Sequence, residues 1–212
     1  SSRTVPFLSK VTHFPIVEIA TRIALGETLK DMGYHSGLMP AKKHVAAKAP
    51  VFSFSKIGLA EIALGPEMKS TGEVMGIGHS YSEALYKAVN GAKMKIPAGG
   101  TILVTVADRD KAEALQLAEG FKELGYHIIA TEGTGKYFND HGMPVDIVRK
   151  IHEGGQNIAT LIRNGKIDLV LNTLTYGKHP ERDGFNLRRM AVELAVPCLT
   201  SLDTAREVLR VF

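Results

Sequence analysis

Residues 99–212 predict an α/β fold: a central parallel sheet of about five strands covered by helices on both faces. Two observations carry this reading. Short β-rich runs alternate with amphipathic stretches, and the first and fourth runs are apolar almost throughout, as strands buried on both faces are. Residues 101–106 (Thr-Ile-Leu-Val-Thr-Val) are the first strand. Residues 111–124 follow as a helix, with Ala114, Leu115, Ala118, Phe121 and Leu124 at helical spacing and Gly125 as its stop. Next come a strand at 126–131, a short helix at 134–141 ended by Gly142, a short strand at 145–148 and a helix at 157–164. A strand at 168–172, a helix at 185–194, a strand at 197–200 and a closing helix at 203–211 complete the pattern.

Residues 1–98 lack this rhythm. Helices are expected at 15–25, 27–32 and 82–89, with a strand at 51–55 and an irregular region around Pro40 and Pro50. So few regular elements in so long a stretch point to the end of a larger domain, joined through residues 90–100 to the second part. The expected division is therefore 1–98 and 99–212.

Composition narrows the class. Of the 212 residues, 44% are hydrophobic and 23% charged, as in a folded globular protein and unlike a disordered chain. The net charge of +4 comes from scattered Lys and Arg, which suit a small anion better than a nucleic acid. No apolar run reaches the roughly 20 residues of a membrane-spanning helix, so no membrane partner is expected. A single cysteine, Cys198, provides neither an internal disulfide nor a zinc cluster and fits a reducing, cytoplasmic setting.

Open parallel sheets bind ligands beyond the carboxyl ends of their strands, so the polar residues there are the candidates. Thr131-Glu132-Gly133-Thr134 follows the second strand at a helix start, where hydroxyls, a glycine and free N–H groups suit a phosphate. Lys111, Lys150 and Asn172-Thr173 follow neighbouring strands and would add two ammonium groups and an amide. Taken singly, each has a plainer reading: Thr131 and Thr134 as helix caps, Lys111 as a solvated side chain, Asn172 as a turn residue. Together they favour an anion site, because a first-turn lysine needs a compensating anion. His152-Glu153 reads as an exposed loop, Arg188-Arg189 as a solvated helix face and Cys198 as a small core residue in the last strand.

Several stretches resemble one family. Residues 51–56 (Val-Phe-Ser-Phe-Ser-Lys) and 64–76 (Leu-Gly-Pro-Glu-Met-Lys-Ser-Thr-Gly-Glu-Val-Met-Gly) resemble the close of the second ATP-grasp unit of carbamoyl phosphate synthetase large subunits. Residues 3–10 resemble the stretch just after that unit's metal-binding Glu-x-Asn-Pro-Arg motif. Residues 99–212 are similar to the methylglyoxal-synthase-like, Rossmann-type domain that ends those subunits, through Thr131-x-Gly133-Thr134, Lys150-x-His152-Glu153-Gly154 and Asn172-Thr173.

The resemblance implies an incomplete ATP-grasp segment followed by an effector-binding domain of a pyrimidine-specific bacterial type. Lys111, Thr131, Gly133, Thr134 and Lys150 would hold the phosphate of UMP, UTP or phosphoribosyl pyrophosphate, and Thr105, Asn172, Thr173 and Leu187 would meet its sugar or base. The whole enzyme would use ATP with Mg or Mn, glutamine and bicarbonate to make carbamoyl phosphate for pyrimidine or arginine biosynthesis. The present residues are expected to bind no cofactor or metal and to be inactive alone. Expected partners are the rest of the large subunit, the glutaminase small subunit and a further copy of the chain. Ala49 and Cys198 replace the glutamate and tyrosine of ornithine-responsive members, so ornithine is not an expected ligand. Gly154-Gly155-Gln156 replaces the Gly-Gly-Asp that supplies the catalytic carboxylate of methylglyoxal synthases, and Gln is no general base. A lyase acting on a phosphorylated triose and an oligomerisation module are the competing readings.

Overall fold

Small residues shape the first half of the chain. Helices α1 (Thr4–Thr12) and α2 (Ile16–Ala24) precede strand β1 (Val45–Val51), which pairs antiparallel with β2 (Gly72–Gly78) and is followed by α3 (Tyr81–Gly91). Ala47 and Ala49 of β1 bury against Ala84 and Ala88 of α3, so strand and helix approach closely. Ser80 caps α3 by accepting the Glu83 N–H at 3.2 Å, and the Glu83 carboxylate accepts the His79 N–H at 2.7 Å and an ion pair from Lys87 at 2.6 Å. The computed structural model describes residues 3–54, 66–155, 157–174 and 183–211, in two units: Ser1–Val51 with Gly72–Ala92, and Phe52–Thr71 with Lys93–Phe212.

This half departs from expectation at four places. Residues 27–32 turn rather than form a helix, because Thr28 and Asp31 bond each other's backbone and side chains locally, with the Thr28 hydroxyl donating to Asp31 at 2.6 Å. The strand expected at 51–55 lies upstream, at Val45–Val51, and includes Pro50. A two-stranded sheet has only edges, which tolerate proline. Strand β2 and helix α1 were not predicted, the former because its glycines carry no β signal. Ser55, Lys56, Leu64 and Gly65 of the family-like stretches lie outside the described residues.

The second unit forms the expected sheet. Strands β3 (Gly100–Thr105), β4 (Tyr126–Thr131), β5 (Asp146–Val148), β6 (Leu169–Asn172) and β7 (Cys198–Leu199) are all parallel, in the order β5-β4-β3-β6-β7. Helices α4 (Lys111–Glu123), α5 (Glu132–Asp140), α6 (Ile158–Arg163), α7 (Asp183–Glu193) and α8 (Leu202–Val211) alternate with them. Successive strand residues serve opposite faces: Ile102 and Val104 pack with Phe121, Phe138 and Val208, while Leu103 packs with Ile158, Ile162 and Leu187. Helix α5 begins at Glu132, two residues before the predicted start, which puts Gly133 and Thr134 inside its first turn.

Tyr126 anchors the entry to the sheet. Its ring meets Phe121 edge-on at 5.5 Å, its hydroxyl donates to the Pro97 carbonyl, and burial pushes the phenol above its ordinary range, with the Asp168 carboxylate adding to the shift. Tyr126→Phe is expected to cost about 1 kcal/mol near neutral pH, the net worth of one hydrogen bond, measured by urea denaturation. The unfolded phenol releases its proton first, so this contribution is present below about pH 10 and lost as pH rises through the folded value. Tyr126→Phe should flatten that alkaline loss.

Candidate functional site

The strand order reverses at β3, with β4 and β5 on one side and β6 and β7 on the other. Crevices outside the carboxyl ends of strands at such a reversal are where open α/β sheets bind ligands. Here β3 and β6 end side by side on the register partners Thr105 and Asn172. Asn172 Nδ2 donates to the Thr105 carbonyl at 2.9 Å, and the Thr131 hydroxyl donates to that of Thr105 at 3.1 Å. The Val106 N–H donates to Thr134 Oγ1 at 3.3 Å and the Ala107 N–H to Thr173 Oγ1 at 2.9 Å. Thr105, Thr131, Thr134, Asn172 and Thr173 therefore form one cluster around the segment that leaves β3.

Most of that cluster faces inward. Thr131, Thr134, Asn172 and Thr173 are buried, and their polar groups hold the connecting segments together. Thr131 occupies the N-cap position of α5 without a side-chain cap bond, so the plain capping role does not account for it. Gly133, in the uncapped first turn, is exposed. Helix starts of this kind present backbone N–H groups and a positive dipole end to an anion.

Lys111 supplies the cation. It opens α4, and its Nζ sits so close to the α5 start that a Cβ on Gly133 would lie 3.6 Å from it; the Tyr137 ring centroid is 5.9 Å away. Its partner is Asp108, with Nζ to Oδ1 at 2.7 Å. Through this contact Lys111 holds the Asp108 carboxyl below the usual carboxylate range. The anion that a first-turn lysine calls for is thus present within the chain.

Other expectations resolve differently. Lys150 follows β5, which is separated from β3 by β4. Its side chain is half-buried, and its backbone N–H donates to Glu153 Oε2 at 2.8 Å. No bond joins it to the Thr105 cluster among the described residues. Leu187 is 2% exposed in the core with Leu103 and Val170, so it packs beneath the rim and not on it. Arg188 overturns the solvated-face reading: it is 6% exposed, and its Nη1 donates to Asn172 Oδ1 at 2.8 Å. Arg189 is the more exposed of the two, paired with Glu193 at 2.8 Å. His152 is exposed as expected, but its Nδ1 lies 2.7 Å from Asp183 Oδ2. Ala49 is buried in β1 and Cys198 half-buried in β7. Gln156 is outside the described residues.

Residues 113–200 match the MGS-like domain family. That stretch is less than half of the chain. It contains Thr131, Gly133, Thr134, Lys150, Asn172, Thr173 and Leu187, and begins two residues after Lys111. Similar solved structures include a methylglyoxal synthase from Elizabethkingia anophelis NUHP1 and ForH, each 20% identical, with a TM-score of 0.40, over 54% of this chain and 79% of theirs. Among the described residues no His, Cys, Asp and Glu group is placed to hold a metal, and no helix is long and apolar enough to cross a membrane.

Two residues of the second unit escaped sequence reasoning. Arg188 was hidden by its neighbour, because an Arg-Arg pair on a polar helix looks solvated on both members. The available signal was its position one residue after Leu187, on a helix that must cover the sheet. Asp108 was hidden among the charges of residues 108–111, although its spacing of three from Lys111 is that of a side-chain pair.

Proposed function

We propose that the MGS-like domain binds the phosphate of a nucleotide-type effector where β3, β4 and β6 end, as the regulatory part of a carbamoyl phosphate synthetase large subunit. The observation that carries this reading is the Lys111 ammonium held against exposed Gly133 at the uncapped start of α5. An ammonium and a helix start converging on one point favour a phosphate monoester. UMP, UTP and phosphoribosyl pyrophosphate are the effectors this reading names. Residues 1–98 would then be the end of the second ATP-grasp unit, with the catalytic centres and the glutaminase partner elsewhere in the whole enzyme. The stretches that support this wider assignment are residues 3–10, 51–56 and 64–76.

Calorimetry and thermal shift with each nucleotide test the reading, since a ligand selective for the native state raises apparent stability. Lys150 tests whether the site reaches the end of β5, being half-buried with no ion-pair partner among the described residues. A charge-assisted bond contributes about 1.5 to 3 kcal/mol, so Lys150→Ala should weaken the effector roughly ten- to hundredfold with little change in stability. Unchanged affinity would remove Lys150 from the site. Turnover of dihydroxyacetone phosphate by the purified chain would instead assign the lyase reading. Nucleotide-independent self-association with no ligand binding would assign the oligomerisation reading.

A further inference from the structure

The contact between Asp108 and Lys111 bears on what the site admits. Asp108 belongs to the single turn Asp108–Asp110 that follows β3, and Lys111 begins α4, so the spacing of three brings them together at 2.7 Å. The two side chains differ sharply in environment. Asp108 is 94% exposed, whereas Lys111 is 15% exposed and lies against Gly133. The neighbouring charges are otherwise engaged: Arg109 Nε pairs with Asp110 at 3.4 Å, and Arg109 Nη2 donates to the Leu174 carbonyl at 2.7 Å. The solvent-exposed partner of the pair is therefore Asp108, and an anion reaching Lys111 must compete with it.

We propose that Asp108 is an internal competitor for the anion at Lys111 and thereby sets the site's preference for a phosphate dianion over a carboxylate, an inference that rests on the anion-site reading above. A tethered carboxylate competes at an effective concentration on the order of millimolar, so a free carboxylate ligand exchanges like for like and gains little. A phosphate dianion carries more charge and more acceptor oxygens. It can bond the ammonium and the first-turn N–H groups of α5 together, which Asp108 cannot. With the Asp108 carboxylate in solvent the pair is weak enough to open, and its opening is the threshold that a ligand's charge must exceed.

The test uses the full chain, titrated with inorganic phosphate at pH 8 and with acetate at constant ionic strength, and follows the Gly133 amide by NMR. In the wild type, phosphate should bind and acetate should not saturate. Asp108→Asn should tighten phosphate about two- to fivefold, the range set by an exposed ion pair, and improve acetate at least as much. Lys111→Met should abolish phosphate binding whether residue 108 is Asp or Asn. If Asp108→Asn leaves phosphate binding equal or weaker while Lys111→Met still abolishes it, the competitor role is overturned and the anion site stands. If Lys111→Met binds phosphate as the wild type does, the anion site itself is wrong and Asp108 loses its role with it.

Discussion

Gly76→Ala is expected to detach α3 from its two-stranded sheet, at a cost of at least about 3 kcal/mol, the upper range of overpacking penalties. Gly76 sits opposite Ala47 in the pairing of β1 and β2. A Cβ there would overlap the carbonyl oxygen of Ala84 and come within 2.6 Å of the Ala88 amide nitrogen. Both are backbone atoms of α3, so no side chain can swing aside, and the helix must move as a body. That movement would expose Ala84 and Ala88, now fully buried. Hydrogen exchange should report the loss at the α3 amides, and denaturation should show a lower midpoint for this unit. Gly72→Ala is the control: its nearest atom would be Val51 Cβ at 3.7 Å, ordinary contact, and the change should stay within about 0.5 kcal/mol. Equal effects at the two glycines would refute the close-approach explanation.

Arg188→Leu should cost about 2 to 3 kcal/mol, because it leaves the buried Asn172 carbonyl without the charged donor that now reaches it at 2.8 Å. The consequence extends to the site. Asn172 spans the gap between its own strand and Thr105, so an amide free to rotate loosens the joint between β6 and β3. Buried polar networks are worth most when every member is satisfied, and half of one is worse than none. A double-mutant cycle with Asn172→Leu makes the test specific: Arg188→Leu should cost markedly less when residue 172 no longer needs a donor. Phosphate affinity should also fall in the single variant, since the opening beside β3 loses its fixed geometry. A cost below about 0.5 kcal/mol would mean that Arg188 behaves as a surface residue after all.

Much of the second unit was legible in the sequence because its signals are local. Apolar runs such as residues 101–106 require burial on both faces, and helical spacing such as that of Ala114, Ala118 and Phe121 fixes which stripe turns inward. The first half was harder to read. Its sheet is built from Ala and Gly, whose value lies in letting β2 approach α3, and closeness of approach leaves no periodic mark. Glu27 to Met32 has helix-forming residues, yet the reciprocal bonds of Thr28 and Asp31 hold it in turns.

The sequence by itself determined a parallel α/β unit and pointed to the segments that carry Thr105, Thr131, Thr134, Asn172 and Thr173, because residues at strand ends are known once the strands are. Only the tertiary structure decided which of those groups face out. Sheet order brought Thr105 beside Asn172 and set Lys150 two strands from β3. Packing turned the threonine hydroxyls inward, buried Arg188 under the rim and left the Lys111 ammonium against Gly133 with Asp108 as its partner. The physical reason is that a side chain's direction and partners depend on contacts made across 16 to 67 residues of chain, as in Arg188 with Asn172 and Asn172 with Thr105. Periodicity reports only the nearest turn of helix or pleat of strand.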